Sequence, residues 1–192
     1  MTTATQTLRH EHDAILRMLD ATEETARQLA AGSPVAPRIL EGLLEFFRLF
    51  ADQCHHGKEE DLLFPKLAEK GLPRNVGPIG VMLLEHDQGR ALIRQMADAA
   101  AGHQAGRQDA ADRWAESARS YAALLREHIA KENNILFVMA ERMLTAEEQQ
   151  ELSAQFETVE MEKMGAGTHQ RLHALMDQLC AEIWKEPVAA RS

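Results

Sequence analysis

The chain of 192 residues is long enough for one domain with a substantial core, and its 45% hydrophobic and 27% charged residues are typical of a globular protein. Its net charge of −9 disfavours binding to nucleic acid or to anionic membrane surfaces, because phosphate groups would be repelled. No apolar run reaches the length of about 18 residues that a membrane-spanning helix needs. The N-terminus lacks the apolar stretch of a secretory signal, and Cys54 and Cys180 are far apart, so we expect a cytoplasmic protein with reduced thiols.

Helix-forming residues dominate the composition, whereas aromatic residues make up only 5%, which predicts an all-α fold. Glycine and proline separate four long segments, so we expect an up-down-up-down four-helix bundle over residues 1–144. Pro65 is expected to kink or break the second helix, because proline lacks the backbone N–H. The predicted helices run from Thr5 to Ala31, from Pro37 to Lys70, from Ile79 to Ala101 and from Gln108 to Met143.

Residues 145–192 are expected to form a C-terminal extension with one or two additional helices. Thr145 and Glu148 have the spacing of a capping box, which predicts a helix start. Apolar residues continue at helical spacing through this part of the chain, so we expect it to pack on the bundle. The two predicted helices run from Thr145 to Lys163 and, capped by Thr168, to Trp184, with Gly165-Ala166-Gly167 between them.

One motif, His-x-x-Lys-Glu-x-x-x-Leu-Phe, occurs twice, over residues 55–64 and 128–137. Each copy follows a Glu-His-Asp triplet, at residues 11–13 and 85–87, after nearly the same interval. A repeat that preserves histidines and glutamates, rather than only leucines, indicates chemistry rather than packing alone. Two matching halves predict a site for two metal ions.

Helical phase, at 100° per residue, turns one histidine of each of the four helices toward the apolar face. In the second and fourth helices a glutamate follows one turn later on the same face. Burying carboxylates among imidazoles is costly unless cations compensate, and such mixed ligation suits iron, with manganese or zinc less favoured. Six ligands for two ions leave positions for an oxo or hydroxo bridge, water or a small gas. The predicted metal ligands are His12, His55, Glu59, His86, His128 and Glu132.

Several other residues near these positions can be interpreted in two ways. His56 is rotated by a further 100° and is either an additional ligand or part of the ligands' surroundings. Tyr121 lies two turns before His128 and either donates a hydrogen bond to a bound oxygen species or packs in the core. The pair His169 and His173 is expected on a partly exposed helix face. Four acidic residues either orient ligand imidazoles or are solvated: Glu11, Asp13, Glu85 and Asp87.

Over residues 5–143 this pattern resembles the hemerythrin-like, HHE cation-binding domains. It is most similar to the di-iron proteins implicated in repair of iron centres after nitrosative and oxidative stress, and to the iron-sensing hemerythrin-like domain of an F-box protein. The resemblance implies one histidine from the first and third helices, His-x-x-x-Glu from the second and fourth, and glutamates that bridge two iron ions. In the F-box relative the residue after the second-helix histidine is a ligand, and here that residue is His56.

The chain departs from the oxygen-carrying members of that family at two positions. Those proteins have His-x-x-x-His on the third helix and His-x-x-x-x-Asp on the fourth, where this sequence has Arg90 and Asn133. Simple reversible oxygen carriage is therefore disfavoured. Arg90 lies about 40° from His86 on the helix and either pairs with a carboxylate or guides an anion such as superoxide.

The sequence leaves several functions open. We expect a di-iron protein that binds or reacts with dioxygen, peroxide or nitric oxide in a stress or redox role, with an electron-donor protein as partner. The alternative is an iron or oxygen sensor, or an iron storage or donation module, without turnover. A hydrolase-like site loaded with zinc or manganese ranks last. Neither a catalytic residue nor an oligomeric state is defined by the sequence.

Overall fold

The computed structural model describes residues 2–165 and 167–184, and this part of the chain folds into six helical segments without strands. The prediction of an all-α bundle is therefore confirmed. Four long helices form the bundle, and two further helices pack against it. The helices are α1 (Ala4–Ala30), α2 (residues 37–69), α3 (Gly77–Gln104), α4 (residues 110–143), α5 (Ala146–Met164) and α6 (Thr168–Ile183).

Two of the long helices contain π-helical turns. In α2 these turns cover Phe47–His56 and Glu59–Leu63, and in α4 they cover Glu132–Leu136. A π-helical turn contains more residues than an α-helical turn, so it rotates the side chains that follow it. Such turns often occur at functional sites. Here they coincide with both copies of the repeated motif, which indicates that the motif belongs to a functional site.

The expected break at Pro65 is wrong, since α2 continues without interruption to Glu69. The N–H of Phe64 donates to the carbonyl of Glu59, which closes the preceding π-helical turn. Pro65 therefore stands in the first turn of a new α-helical segment, where the missing N–H has little cost.

The helix starts of the extension agree with the sequence prediction at Thr145 but not at Thr168. Thr145 and Glu148 form the expected capping box, with each side chain bonded to the other residue's backbone N–H. Thr168, however, is the first residue of α6 rather than its cap. Gly167 occupies the cap position with a φ of +80°, a left-handed conformation that glycine adopts without steric cost.

Two apolar clusters fill the interior, with a polar layer between them. On α1, Leu8 belongs to one cluster and Ile15 to the other, while His12 lies between them. The extension contributes to both clusters, since Phe156 of α5 packs in the first and Leu172 of α6 in the second. The polar layer is therefore enclosed by apolar side chains above and below.

The extension covers one side of the bundle. Arg17 of α1 pairs with Asp177 of α6 at 2.7 Å, and the Gln28 side chain donates to the backbone oxygen of Ile183 at 3.0 Å. Residues 185–192 of the predicted extension lie outside the described residues, and the division of the chain at residue 144 remains a prediction. In the described part of the chain, no helix combines the length and apolar character needed to cross a membrane.

Replacing Leu172 with Ala tests whether the extension is part of the folding unit. Leu172 is fully buried, so its loss should lower the free energy of unfolding by about 2–5 kcal/mol and shift the whole transition in urea. Leu84→Ala is the control, because Leu84 is 58% exposed and should change stability little. An unchanged transition in L172A would show that the bundle is stable without the packing of α6.

Candidate metal centre

The six predicted metal ligands converge at the bundle axis, and each is at most 1% exposed. The four histidines form two pairs. In the first pair, the Nε2 atoms of His12 and His55 lie 2.9 Å apart. In the second pair, the Nε2 atoms of His86 and His128 lie 3.1 Å apart. The structure thus brings together all six side chains, and their role as ligands remains a prediction.

Two glutamates lie between the histidine pairs. Glu132 has Oε2 at 3.2 Å from Nε2 of His12 and Oε1 at 3.3 Å from Nε2 of His128. The two oxygens of Glu59 lie 3.8 and 3.5 Å from the Nε2 atoms of the other histidine of each pair. Each carboxylate therefore presents one oxygen to each pair, which is the arrangement that a carboxylate bridging two ions requires.

His56 also reaches the site. Its ring stacks on His86 with the centroids 3.8 Å apart and the planes 16° from parallel. A straight α-helix would rotate His56 away from His55, but both residues lie in the π-helical segment Phe47–His56, where the spacing of side chains differs. Two sets of possible ligand atoms result, each within 4.8 Å: His12, His55, Glu59 and Glu132, and His56, Glu59, His86 and His128.

The Nδ1 atom of each paired histidine contacts an oxygen from a neighbouring helix of the bundle. The contacts are His12 to Asn133 (3.0 Å), His55 to Glu11 (2.8 Å), His86 to Glu60 (2.7 Å) and His128 to Glu85 (2.9 Å). A neutral imidazole that donates from Nδ1 leaves the lone pair of Nε2 free to bind a metal. These contacts therefore turn the four Nε2 atoms toward the bundle axis.

A cationic side chain stands behind each of these oxygen acceptors. Lys58 contacts Glu11 at 2.5 Å, and Lys131 contacts Glu85 at the repeat-related position. In the same way Arg90 contacts Glu60 at 2.5 Å and Arg9 contacts the Asn133 side chain at 3.3 Å. Burial alone would raise the pKa of Glu11, but hydrogen bonds and charge from His55 and Lys58 lower it to about 2. The carboxylate therefore stays ionised and accepts a hydrogen bond from the imidazole.

The residues at the axis fit a bound cation. Among the described residues, both oxygens of Glu59 and of Glu132 and both ring nitrogens of His56 are buried without a hydrogen-bond partner. Burial raises the pKa of Glu59 well above its usual range, and the charge of Glu132 raises it further. Buried polar atoms without partners are costly, and coordination to a cation would remove that cost.

The pKa values of the imidazoles also fit a bound cation. Burial, together with charge from neighbouring histidines, lowers the pKa of His55 to about 4 and that of His56 and His86 to about 3. These rings are therefore neutral near pH 7 and present lone pairs. For His128, burial lowers the pKa, but Glu132 and Glu85 outweigh it and raise the pKa to about 9. Positive charge is thus stabilised where the carboxylates face the histidines.

Arg90 and Tyr121 occupy positions near the second histidine pair. The Arg90 guanidinium pairs with Asp52 at 2.8 Å, with Glu60 at 2.5 Å and with Asp87 at 3.1 Å, so carboxylate pairing is the role that the structure gives it. Tyr121 is 3% exposed, packs edge-on against Phe47 and lines a cavity that also contains His56. Tyr121 therefore lies in a position to contact a small molecule in that cavity.

The other residues singled out from the sequence have different positions. Glu11 and Glu85 orient imidazoles as described above, whereas Asp13 is exposed. His169 and His173 lie with their rings 4.6 Å apart and both contact the ring of Phe50, on the side of the bundle covered by the extension.

Sequence reasoning missed several residues that the repeated motif itself marks. In each copy the motif lysine, Lys58 or Lys131, contacts the glutamate that accepts a hydrogen bond from an imidazole. The final phenylalanine of each copy stacks on an imidazole. Phe64 lies against His86 at 6.0 Å between centroids, and Phe137 lies against a histidine of the first pair at 5.4 Å. The conserved spacing of these residues in both copies was the available signal.

Comparison with known protein families identifies the family of this chain. The model of the family described as Hemerythrin HHE cation binding domain matches residues 3–140. The chain belongs to this family. The resemblance inferred from the ligand pattern is therefore confirmed, and cation binding is the property that the family description assigns.

Relatives within the family are similar at modest identity. The Uncharacterized protein Rv1995 of Mycobacterium tuberculosis is 27% identical over 163 residues, which cover 85% of this chain and 63% of that protein. The Iron-sulfur cluster repair protein YtfE of Escherichia coli O81 is 29% identical over 137 residues, covering 69% and 60%. The chain thus matches only about three fifths of the length of these relatives.

Substituting the two motif lysines by Met compares a buried and a partly exposed copy of the same contact. Lys58→Met leaves the buried carboxylate of Glu11 without its main cation, so the free energy of unfolding should fall by about 3–5 kcal/mol. Lys131→Met should cost about 1 kcal/mol or less, because the Lys131 side chain is 35% exposed. Urea titrations of both variants measure this difference, and equal losses would contradict it.

Proposed function

We propose that this protein binds two iron ions between its histidine pairs and uses them to bind or reduce a small oxidant or diatomic molecule. The first ion would be held by His12 and His55, and the second by His86 and His128, with His56 as a further ligand of the second. Glu59 and Glu132 would bridge the two ions. The observation that carries this proposal is the placement of each carboxylate between both histidine pairs.

The donor set favours iron over the other metals considered. Imidazole and carboxylate ligands suit iron, manganese and zinc, whereas the two buried thiols, Cys54 and Cys180, do not belong to either ligand group. Zinc in proteins is usually four-coordinate. With both glutamates bridging, the first ion would have four protein ligands and the second five, so the second ion would exceed the usual coordination number of zinc.

A pair of ferrous ions, when bound, supplies the electrons that reduce dioxygen, peroxide or nitric oxide. The protein's own residues hold the imidazoles in one tautomer, exclude bulk water from the axis and keep two negative charges beside the ions. An electron-donor protein would restore the reduced state. The similarity to a relative named for iron-sulfur cluster repair supports a role connected with the repair of iron centres.

Replacing a bridging carboxylate tests the iron site directly. Glu132→Ala removes oxygens that face both histidine pairs, so the iron content should fall from two ions per chain to one or none, with loss of the near-ultraviolet absorption of the iron-loaded protein. Glu127→Ala is the matched control, because Glu127 is on the same helix and exposed. Metal analysis after anaerobic loading decides the matter. Two irons and an unchanged spectrum in E132A, or zinc as the metal of the freshly purified protein, would overturn the proposal.

A sensor or iron-storage role without turnover is the second candidate, and one contact favours a sensor. Lys58 contacts Glu11, which accepts the hydrogen bond from His55. Lys58 also pairs at 3.0 Å with Glu160 of the extension. Changes at the first histidine pair would therefore reach α5 through two side chains. A sensor predicts slow turnover of oxygen, peroxide and nitric oxide together with altered hydrogen exchange of α5 on metal removal. An iron store predicts rapid loss of iron to a mild chelator.

Metal removal should destabilise the whole bundle. Without cations, the carboxylates of Glu59 and Glu132 remain buried and lack hydrogen-bond partners. Saturating metal at a thousandfold excess over its dissociation constant would add about 4 kcal/mol to the free energy of unfolding. Thermal unfolding of chelated and reloaded protein should therefore show a large, reversible difference in Tm. Identical melting curves would indicate that the site does not depend on a metal.

A further inference from the structure

We propose that the cavity between α2, α3 and α4 is the entrance to the metal centre, that it binds small monoanions, and that Arg48 and Arg94 determine this specificity. The inference rests on the proposed function, since the anion would be delivered to the His56 side of the centre. It assigns the two arginines to ligand selection and limits access to one of the two metal positions.

The cavity leads to one end of the site. It has a volume of about 180 Å³, and both His56 and His86 line it, whereas neither His12 nor His55 does. His56 is only 4% exposed, and neither of its ring nitrogens has a hydrogen-bond partner among the described residues. A molecule inside the cavity would therefore meet the imidazoles of the second metal position and not those of the first.

The lining is positively charged although the protein as a whole carries a net charge of −9. Three arginines line the cavity and face one lining carboxylate, Asp52. Arg90 pairs with three acidic side chains, which more than offset its charge. Arg48 and Arg94 are exposed, and no residue of the described chain forms an ion pair with either. Their unpaired charges would attract anions to the entrance.

The interior of the cavity offers hydrogen-bond donors without adding charge. Burial raises the pKa of Tyr121, and the nearby charge of Asp52 raises it further, so the phenol remains a donor. Gly89 lies beneath the tyrosine ring, and a Cβ there would lie 3.5 Å from its Cε2 atom. A phenol and guanidinium groups together suit a small anion that has several lone pairs.

The cavity volume restricts the size of this ligand. A water molecule occupies about 30 Å³ in the liquid, so 180 Å³ corresponds to about six water molecules and accommodates an anion of two to four heavy atoms. The class of ligand is therefore a small monoanion such as a triatomic oxoanion or pseudohalide. Neutral diatomic molecules would enter as well, but they would gain nothing from the arginines.

The test uses azide as the anion and nitric oxide as the neutral probe. Azide affinity is measured by calorimetry on iron-loaded, zinc-loaded and metal-free protein, and nitric oxide binding is measured optically on the iron-loaded protein. The double variant Arg48→Gln/Arg94→Gln should weaken azide binding about tenfold and reduce its dependence on ionic strength. Nitric oxide binding should not change. Arg113→Gln/Arg119→Gln, which replaces two exposed arginines of α4 outside the cavity lining, is the control for net charge.

The outcomes separate this proposal from the proposed function. If the chain does not bind two irons but the arginines still control azide binding to another form, the di-iron function fails and the anion entrance stands. If two irons bind and the double variant binds azide as tightly as the unmodified protein, the entrance proposal is overturned. Absence of azide binding in all three forms also overturns it. Tyr121→Phe should weaken azide binding without changing the salt dependence, since it removes a donor and no charge.

Discussion

The structure depends on the burial of two carboxylates, Glu59 and Glu132, among imidazoles at the bundle axis. Such a cluster is unfavourable in an apolar interior unless a cation compensates. Two apolar clusters enclose the polar layer above and below, so water does not provide that compensation freely. Under the proposed metal binding, the free energy of binding would add to the stability of the bundle.

A closed circle of contacts around the bundle determines how the imidazoles point. Each histidine donates to an oxygen from the neighbouring helix, and α4 supplies the acceptor for α1, which completes the circle. Three of these acceptors are carboxylates and the fourth is the amide of Asn133. Because a neutral acceptor makes an imidazole less basic than a carboxylate does, the ring of His12 should be the weakest donor to a metal.

The two halves of the repeat also differ in what surrounds them. The extension covers the His55 side, where Lys58 is fully buried and pairs with both Glu11 and Glu160. The opposite side carries the cavity that reaches His56. The two histidine pairs thus stand in different surroundings, with contacts from the extension at the first pair and an opening at the second. Under the proposed function, the two ions would differ in reactivity for this reason.

The sequence by itself determined the helical class, the position of the long helices and the six side chains that meet at the axis, because apolar periodicity and a repeat of chemical residues are local properties. It also indicated that Glu11 and Glu85 were candidates to orient imidazoles. Only the tertiary structure decided that His56 joins the site, since π-helical turns change the rotation that a regular α-helix would give. It likewise decided the acceptor roles of Glu60 and Asn133 and the opening between three helices, because those contacts join residues from different helices and no spacing along the chain encodes them.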